Sequence, residues 1–505
     1  MMEWDNVKDL LAEHMGAILA ASVPLATVVF QRLLKNNSKT VVDVESVPRK
    51  PRGSSFHKAE SFMELQTPSV PAESQQKAWV SLGPEQPLVI AMVGLPARGK
   101  SYIVNMIIRY LKWIGFEARV FNVGSHRRKK GLQSADSNFF NADNEEGKRM
   151  REQLAMEVQD SMYEWLHSST DFTRRVAIFD ATNTTINRRQ SLAQRAREHR
   201  VELLFVESIC NDQEVLMQNY NLKLQNEDYK GMDPEKARSD FMSRVRAYEK
   251  VYETIEDYED NYQISYLKLI NVGQKVITRN CHGYLPSQVA FYLQNVHITP
   301  RKIYLTVNAQ SVNKSDLVGG MQSGTLTESG LEYSEALADY MQLEQQTDMH
   351  AGKEILVLTG TTNLHSESTQ ALQKRGFRIF PTPVLNELRG GDFNGLTKAQ
   401  FEREHPEEFA KRAEDKLNYR YPGAAGESYM DVIERVRPVI IELERQRRSI
   451  VIVCHLAVLR CIYAYFMGIP VCDLPFKDLR MHHIYELSPG PFGCHCAVVD
   501  PTRDE

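Results

Sequence analysis

The chain has 505 residues, 42% of them apolar and 25% charged, and a net charge of −4. That length exceeds one core and predicts about two to four domains, while the slightly acidic balance gives no electrostatic case for nucleic acid as a partner. The seven cysteines, Cys210, Cys281, Cys454, Cys461, Cys472, Cys494 and Cys496, form no Cys-x-x-Cys pair, so neither a zinc site nor a disulfide framework is indicated. A reducing cytoplasm suits them best.

Residues 1–81 differ from the rest. Met15 to Phe30 is free of charge, preceded by Glu3, Asp5, Asp9 and Glu13 and followed by Arg32 and Lys35. A membrane span needs about 20 apolar residues, Pro24 interrupts this run, and the acidic leader suits neither a secretory signal nor a mitochondrial presequence. A docking or capping helix is the favoured reading, with a membrane anchor and plain disorder as alternatives. From Lys35 to Gln76 the chain is rich in Ser, Pro and charge and reads as a flexible linker. Within it, Arg49-Lys50-Pro51-Arg52-Gly53-Ser54-Ser55 suits a basophilic protein kinase acting on Ser54 or Ser55, and equally a plain solvated linker.

The apolar run Leu88 to Val93 has strand length and leads into Gly94-Leu95-Pro96-Ala97-Arg98-Gly99-Lys100-Ser101. The Gly-x-x-x-x-Gly-Lys-Ser spacing fits a phosphate-binding loop between a strand and a helix. Gly94 and Gly99 let backbone N–H groups face inward, Lys100 can reach the outer phosphates, and Ser101 can offer its hydroxyl to magnesium. The alternative is an ordinary Gly-rich turn.

After the loop, Tyr102 to Trp113 has helical spacing, and Ala118 to Val123, Val176 to Phe179, Leu203 to Ile209 and Tyr266 to Val272 are strand-like, with helical stretches between them. This pattern predicts an α/β fold with a mainly parallel sheet, whose ligands sit at the carboxyl ends of the strands. Asp180 ends the Val176 run, where nucleotide-binding folds keep a magnesium-linked carboxylate, and Thr182, Asn183, Thr184 and Thr185 follow it. A simple turn is the plainer reading of those residues. Arg127 and Arg128 follow the second strand, Arg151 an acidic stretch, and Arg188 and Arg189 the Asp180 turn; Arg244 is expected to open a helix that also carries Tyr248. Each arginine alone reads as surface, but several beside strand ends suit a phosphorylated co-substrate as well as ATP.

GLPARGKS, FNVGSHRRK, FFNADNEE, FDATNTT, FVESIC and FMSRVRAYEKVYE together closely resemble the kinase half of the 6-phosphofructo-2-kinase/fructose-2,6-bisphosphatase family, in the family's order. The resemblance runs from about Leu82 to Glu505. It implies a kinase that phosphorylates the 2-hydroxyl of fructose 6-phosphate with ATP and Mg2+ to give fructose 2,6-bisphosphate, a regulator of glycolysis. It further implies that Gly94 to Ser101 holds ATP, that Lys100 stabilises the transferred phosphoryl group, and that Asp180 binds magnesium or orients the sugar hydroxyl. Lys223 matches a second catalytic lysine, although one residue is missing just before it, and Ile186 replaces an arginine of the family. Arg127, Arg128, Arg151, Thr184, Arg188, Arg244 and Tyr248 match positions that hold the sugar phosphate.

From about Thr299 a second alternating pattern begins, with strand-like runs at Lys302 to Val307, Ile355 to Leu358, Ile379 to Leu385 and Ile450 to Cys454. By resemblance this is a histidine-phosphatase, phosphoglycerate-mutase-like α/β domain, so the expected units are 1–81, 82–298 and 299–505. Its matches include Glu387, Arg412, Lys416, Tyr419 to Pro422, Gly426 to Tyr429, His455 and Arg460. Where the family has Arg-His-Gly-Glu, however, this chain has Val307-Asn308-Ala309-Gln310. Asn308 thus replaces the nucleophilic histidine, and Val307 and Leu364 replace phosphate-binding arginines. A carboxamide cannot carry a phosphoryl group, and without cations the phosphate's charge is not neutralised.

The expectation is a cytoplasmic, homodimeric 6-phosphofructo-2-kinase with a degenerate phosphatase half serving as scaffold, dimer partner or ligand sensor. Three alternatives are residual bisphosphatase activity, a non-catalytic regulator that only binds ligands, and a kinase with a different sugar-phosphate acceptor.

Overall fold

The computed structural model describes residues 86–505 apart from 133–136, 142, 170–173, 257–263, 272, 313–316, 320–324, 348–353, 491–492 and 504–505. Met15 to Phe30, Ser54 and Ser55 lie outside the described residues. Strands β1 (Leu88–Val93), β2 (Glu117–Asn122), β3 (Arg175–Asp180), β4 (Glu202–Ile209), β5 (Ser265–Ile270) and β6 (Lys275–Arg279) form one sheet in the order β2-β3-β1-β4-β5-β6. All pairs but β5–β6 are parallel. Every residue of β1 is buried, because helices cover both faces of its sheet, and this explains its unbroken apolar run.

The crossover helices are α1 (Lys100–Trp113), α2 (Val123–Lys129), α3 (Glu145–His167), α4 (Ile186–Glu198), α5 (Gln213–Leu224) and α6 (Pro234–Glu249), followed by α7 (Tyr284–Asn295). Two expectations are corrected here. Arg244 lies in the second half of α6 rather than opening it: the Asp233 side chain accepts from the Lys236 N–H and Pro234 takes the first helical position, so the helix starts well upstream. The fifth strand stops at Ile270, since Asn271 turns the chain with φ 47° into the edge strand β6.

A second sheet, ordered β12-β11-β7-β10-β8-β9, is built from β7 (Ile303–Val307), β8 (Leu356–Thr359), β9 (Arg378–Pro381), β10 (Ile450–Cys454), β11 (Ile484–Gly490) and β12 (Gly493–Val499). Its helices are α8 (Glu328–Thr347), α9 (Asn363–Lys374), α10 (Lys398–Glu404), α11 (Pro406–Glu414), α12 (Tyr429–Arg445) and α13 (Leu456–Met467). The run expected as strand to Leu385 ends at Pro381; Pro383 cannot donate to a ladder, and Pro383–Leu385 winds into a 3-10 turn capped by Thr382.

The two sheets belong to one compact unit, and a continuous apolar cluster joins them, from Met92 and Trp113 through Val432 to Cys461. At its centre Glu444, 1% exposed, accepts from Arg109 Nη2 at 2.6 Å, Arg301 Nη2 at 2.9 Å and the Tyr465 hydroxyl at 2.7 Å. Trp113 Nε1 donates to the Cys461 carbonyl at 2.9 Å. The helix that starts in the phosphate loop, α1, is thereby fastened to α12 and α13 of the second half. Glu444→Ala would leave two desolvated guanidinium groups without their carboxylate. It is expected to cost about 3–5 kcal/mol, read as a lower midpoint in urea unfolding.

Candidate active site

The carboxyl ends of β1, β2 and β3 and the helices α2 to α6 surround a cavity of about 440 Å³. Its floor is the loop between β1 and α1. Gly94 has φ 133°, its N–H donates to the Thr182 carbonyl at 2.9 Å, and a Cβ built on it would lie 2.5 Å from the Ser208 carbonyl oxygen. Gly94→Ala therefore combines strain with a backbone clash. It is expected to destabilise by about 2–4 kcal/mol, read as a lower thermal midpoint. Gly99, with φ 86°, caps α1.

Lys100 folds back over this loop, its Nζ donating to the carbonyls of Gly94 at 2.8 Å and Leu95 at 2.6 Å. Burial pulls its pKa down to about 7; Asp180 opposes the shift, while Lys223, Arg98 and Arg244 add to it. Asp180 is buried at the end of β3, and Asn122 Nδ2 donates to its carboxylate. Burial raises that carboxyl's pKa against the pull of Lys100. Burial likewise lowers Lys223, with Asp180 opposing. The three groups form a desolvated, mutually coupled cluster in the cavity lining.

Much of the remaining lining is cationic. Arg127 and Arg128 come from α2, Arg151 from α3, Arg188 from α4, and Arg244 with Tyr248 from α6. Burial holds Arg127, Arg151 and Arg188 below the ordinary guanidinium value, as expected where cations converge away from water. A carboxylate that no sequence motif marks, Asp228, gathers three of them: its Oδ2 lies 2.7 Å from Arg127, 3.5 Å from Arg244 and 3.6 Å from Arg128. In sequence it sits in Asn226-Glu227-Asp228-Tyr229, which looks like any polar turn. The Phe140 ring, 3.9 Å from the Arg244 guanidinium carbon, completes the seat.

Pro96, Ala97, Gly99, Lys100, Ser101, Asp180 and Lys223 line the cavity, whereas Gly94, Leu95 and Arg98 do not. Thr184 is also outside the lining. It is buried, its carbonyl accepts from Glu253 N at 2.8 Å, and Thr182 stands at the cavity in its place. Arg189, 1% exposed, is a strut, donating to the carbonyls of Asn183 and Glu253.

A family model described as 6-phosphofructo-2-kinase matches residues 75–300, and one described as histidine phosphatase superfamily (branch 1) matches residues 308–499. The chain is 38% identical over 420 residues to "6-phosphofructo-2-kinase/fructose-2,6-bisphosphatase" of Caenorhabditis elegans, covering 82% of this chain and 88% of that protein. It belongs to the 6-phosphofructo-2-kinase/fructose-2,6-bisphosphatase family. The corresponding protein of Gallus gallus is 37% identical, with 82% and 84% of the two chains covered. "6-phosphofructo-2-kinase 1" of Saccharomyces cerevisiae is 40% identical over 80% of this chain but 51% of its own, so the chain spans about half of that relative's length.

In the family's phosphatase-like half, a cavity of about 450 Å³ is lined by Thr361, Thr362, Asn386, Glu387, Arg389 and His455 among others, and Arg389 is its exposed cation. His455 Nδ1 lies 3.6 Å from Glu387 Oε2. Val307 and Leu364 are buried in apolar clusters, and Asn308 is 5% exposed, its Oδ1 without a hydrogen-bond partner among the described residues. His365, which the sequence reading passed over, is fully buried against His455 with ring centroids 4.6 Å apart. Its ring sits so close to Gly360 that a Cβ there would lie 2.4 Å from His365 Cε1. Burial, reinforced by His455, takes His365 down to about 3, and burial also lowers His455 against the pull of Glu387. Burial thus favours the neutral form of both imidazoles, of which His455 lines the cavity. Arg412, Lys416 and Arg460 lie outside its lining. Lys416 donates to the Pro475 carbonyl and Arg460 to the Lys477 carbonyl and the Tyr429 hydroxyl.

Proposed function

We propose that this chain transfers the γ-phosphoryl group of ATP to the 2-hydroxyl of fructose 6-phosphate, and that its second half does not hydrolyse the product. The single cavity in which the phosphate loop with Lys100 meets Asp180, Lys223 and a wall of arginines from four helices carries the reading. One end offers backbone N–H groups and a lysine to a triphosphate, and the other offers guanidinium forks to a sugar phosphate.

Ser101 and the buried Asp180 both face the cavity and fit two ligands of a magnesium ion, whose remaining ligands would be phosphate oxygens and water. When bound, the ion neutralises charge on the β- and γ-phosphates. Lys100, released from the loop carbonyls, meets the charge that develops on the transferred group, and Lys223 approaches it from α5. Asp180 serves the ion or the attacking hydroxyl. Arg127, Arg128, Arg151, Arg188, Arg244 and Tyr248 hold the sugar phosphate so that its 2-hydroxyl faces the γ-phosphorus.

In the second half, Asn308 offers no nucleophile, and Val307 and Leu364 bring no charge to a phosphate. A cytoplasmic homodimer, with Ser54 or Ser55 as targets of a basophilic protein kinase, completes the proposal. The test is formation of fructose 2,6-bisphosphate by the purified chain from MgATP and fructose 6-phosphate. Product formed at a steady rate supports the reading. Nucleotide binding without turnover would replace it with a purely regulatory role, and turnover on another sugar phosphate would replace the acceptor.

A further inference from the structure

Helices α5 and α6, which bring Lys223, Arg244 and Tyr248 to the cavity, share a small apolar core of their own. Tyr229, Ala237, Phe241 and Val245 form it, and the residue that joins them from the rest of the fold is Ala97 of the phosphate loop. The next residue, Arg98, adds polar ties at the same place. Its carbonyl accepts from the Ser208 hydroxyl, its Nη1 donates to the Tyr220 hydroxyl of α5 at 2.9 Å, and its Nη2 pairs with Glu249 of α6 at 3.3 Å. Tyr220 precedes Lys223 by one helical turn, and Glu249 follows Tyr248 directly. The Arg98 side chain, 10% exposed, thus turns from the nucleotide end of the cavity to the helices that carry the acceptor end.

We infer that Arg98 is a positioning residue that couples the nucleotide loop to α5 and α6, so that nucleotide and sugar phosphate each strengthen the binding of the other. The inference rests on reading the cavity as the ATP and fructose 6-phosphate site. A nucleotide that engages the loop's N–H groups fixes Ala97 and Arg98, and with them the anchor of both helices. Reciprocity follows, because a coupling free energy between two sites acts equally in both directions. Glu249 is 45% exposed, so its ion pair alone contributes little, and the better-buried Tyr220 hydroxyl is the stronger tie.

The test is a calorimetric titration of fructose 6-phosphate into the full chain, with and without a saturating non-hydrolysable ATP analogue and magnesium. The analogue is expected to tighten sugar-phosphate binding about fivefold or more in the unaltered protein, and less than about twofold in Tyr220→Phe/Glu249→Gln. The double variant should bind the analogue alone as the unaltered protein does. Should it melt early, Tyr220→Phe alone decides, since it keeps the ring's edge contact with Phe241 at 5.7 Å. An unchanged ratio in the variant, or no coupling in the unaltered protein, overturns the inference. Failure of fructose 6-phosphate to bind at all overturns the functional reading instead.

Discussion

Lys100→Met is expected to lower kinase turnover by about 10³-fold or more while raising the thermal midpoint at neutral pH. The first effect follows from its place at the loop, where a cation meets the charge of the transferred group. The second follows from linkage. Burial takes the Lys100 ammonium from its ordinary 10.5 down to about 7. Between those values the unfolded chain holds a proton that the folded chain has released, so stability rises with pH across that window. Below about pH 7 the folded state carries the full burden of a buried charge. Methionine removes that burden, so the gain in midpoint should be larger at pH 6 than at pH 9, and a paired melting series reads it directly. The same depressed value predicts that nucleotide binding at pH 8 takes up a proton, visible as a dependence of binding heat on the buffer's ionisation enthalpy.

The second large effect concerns the other half. Labelled fructose 2,6-bisphosphate is expected to release phosphate no faster than a protein-free control, and no phosphoenzyme should survive rapid quenching. His455→Ala should leave both observations unchanged. The reason is geometric as well as chemical: the Asn308 side chain is a buried carboxamide, and burial disfavours the charged forms of the His365 and His455 imidazoles. Supplying a histidine at Asn308 alone should restore little, because Val307 and Leu364 would still bring no charge to the transferred phosphoryl group. Hydrolysis that disappears in His455→Ala would show that another group has taken over the attack.

Much of the fold was readable because parallel strands buried on both faces leave unbroken apolar runs, as in Leu88–Val93 and Ile450–Cys454. The edges were not. β6 has no fully buried residue and lies between charged ends, and β11 and β12 mix Pro, Gly, His and Cys, so none of them carries an unbroken apolar run. The candidate site shows the same division. The phosphate loop declares itself through glycines required by backbone conformation, and the arginines through family spacing. Asp228 and His365 do not, because their meaning depends on which side chains fold against them: a carboxylate among three guanidiniums, and an imidazole filling the space over a glycine. Arg98 shows the converse, since a residue inside a nucleotide motif is naturally assigned to the nucleotide, and its hydrogen bonds lead elsewhere.

The buried joint of Arg109, Glu444 and Arg301 has a bearing on heredity. A nonsense or frameshift change anywhere between the two sheets would strip α1 of the carboxylate and the Cys461 carbonyl that it leans on. Mutations far from the phosphate loop would then register as loss of kinase. Selection on the product of one domain is in this way enough to preserve the reading frame of the other, whatever chemistry the second domain does.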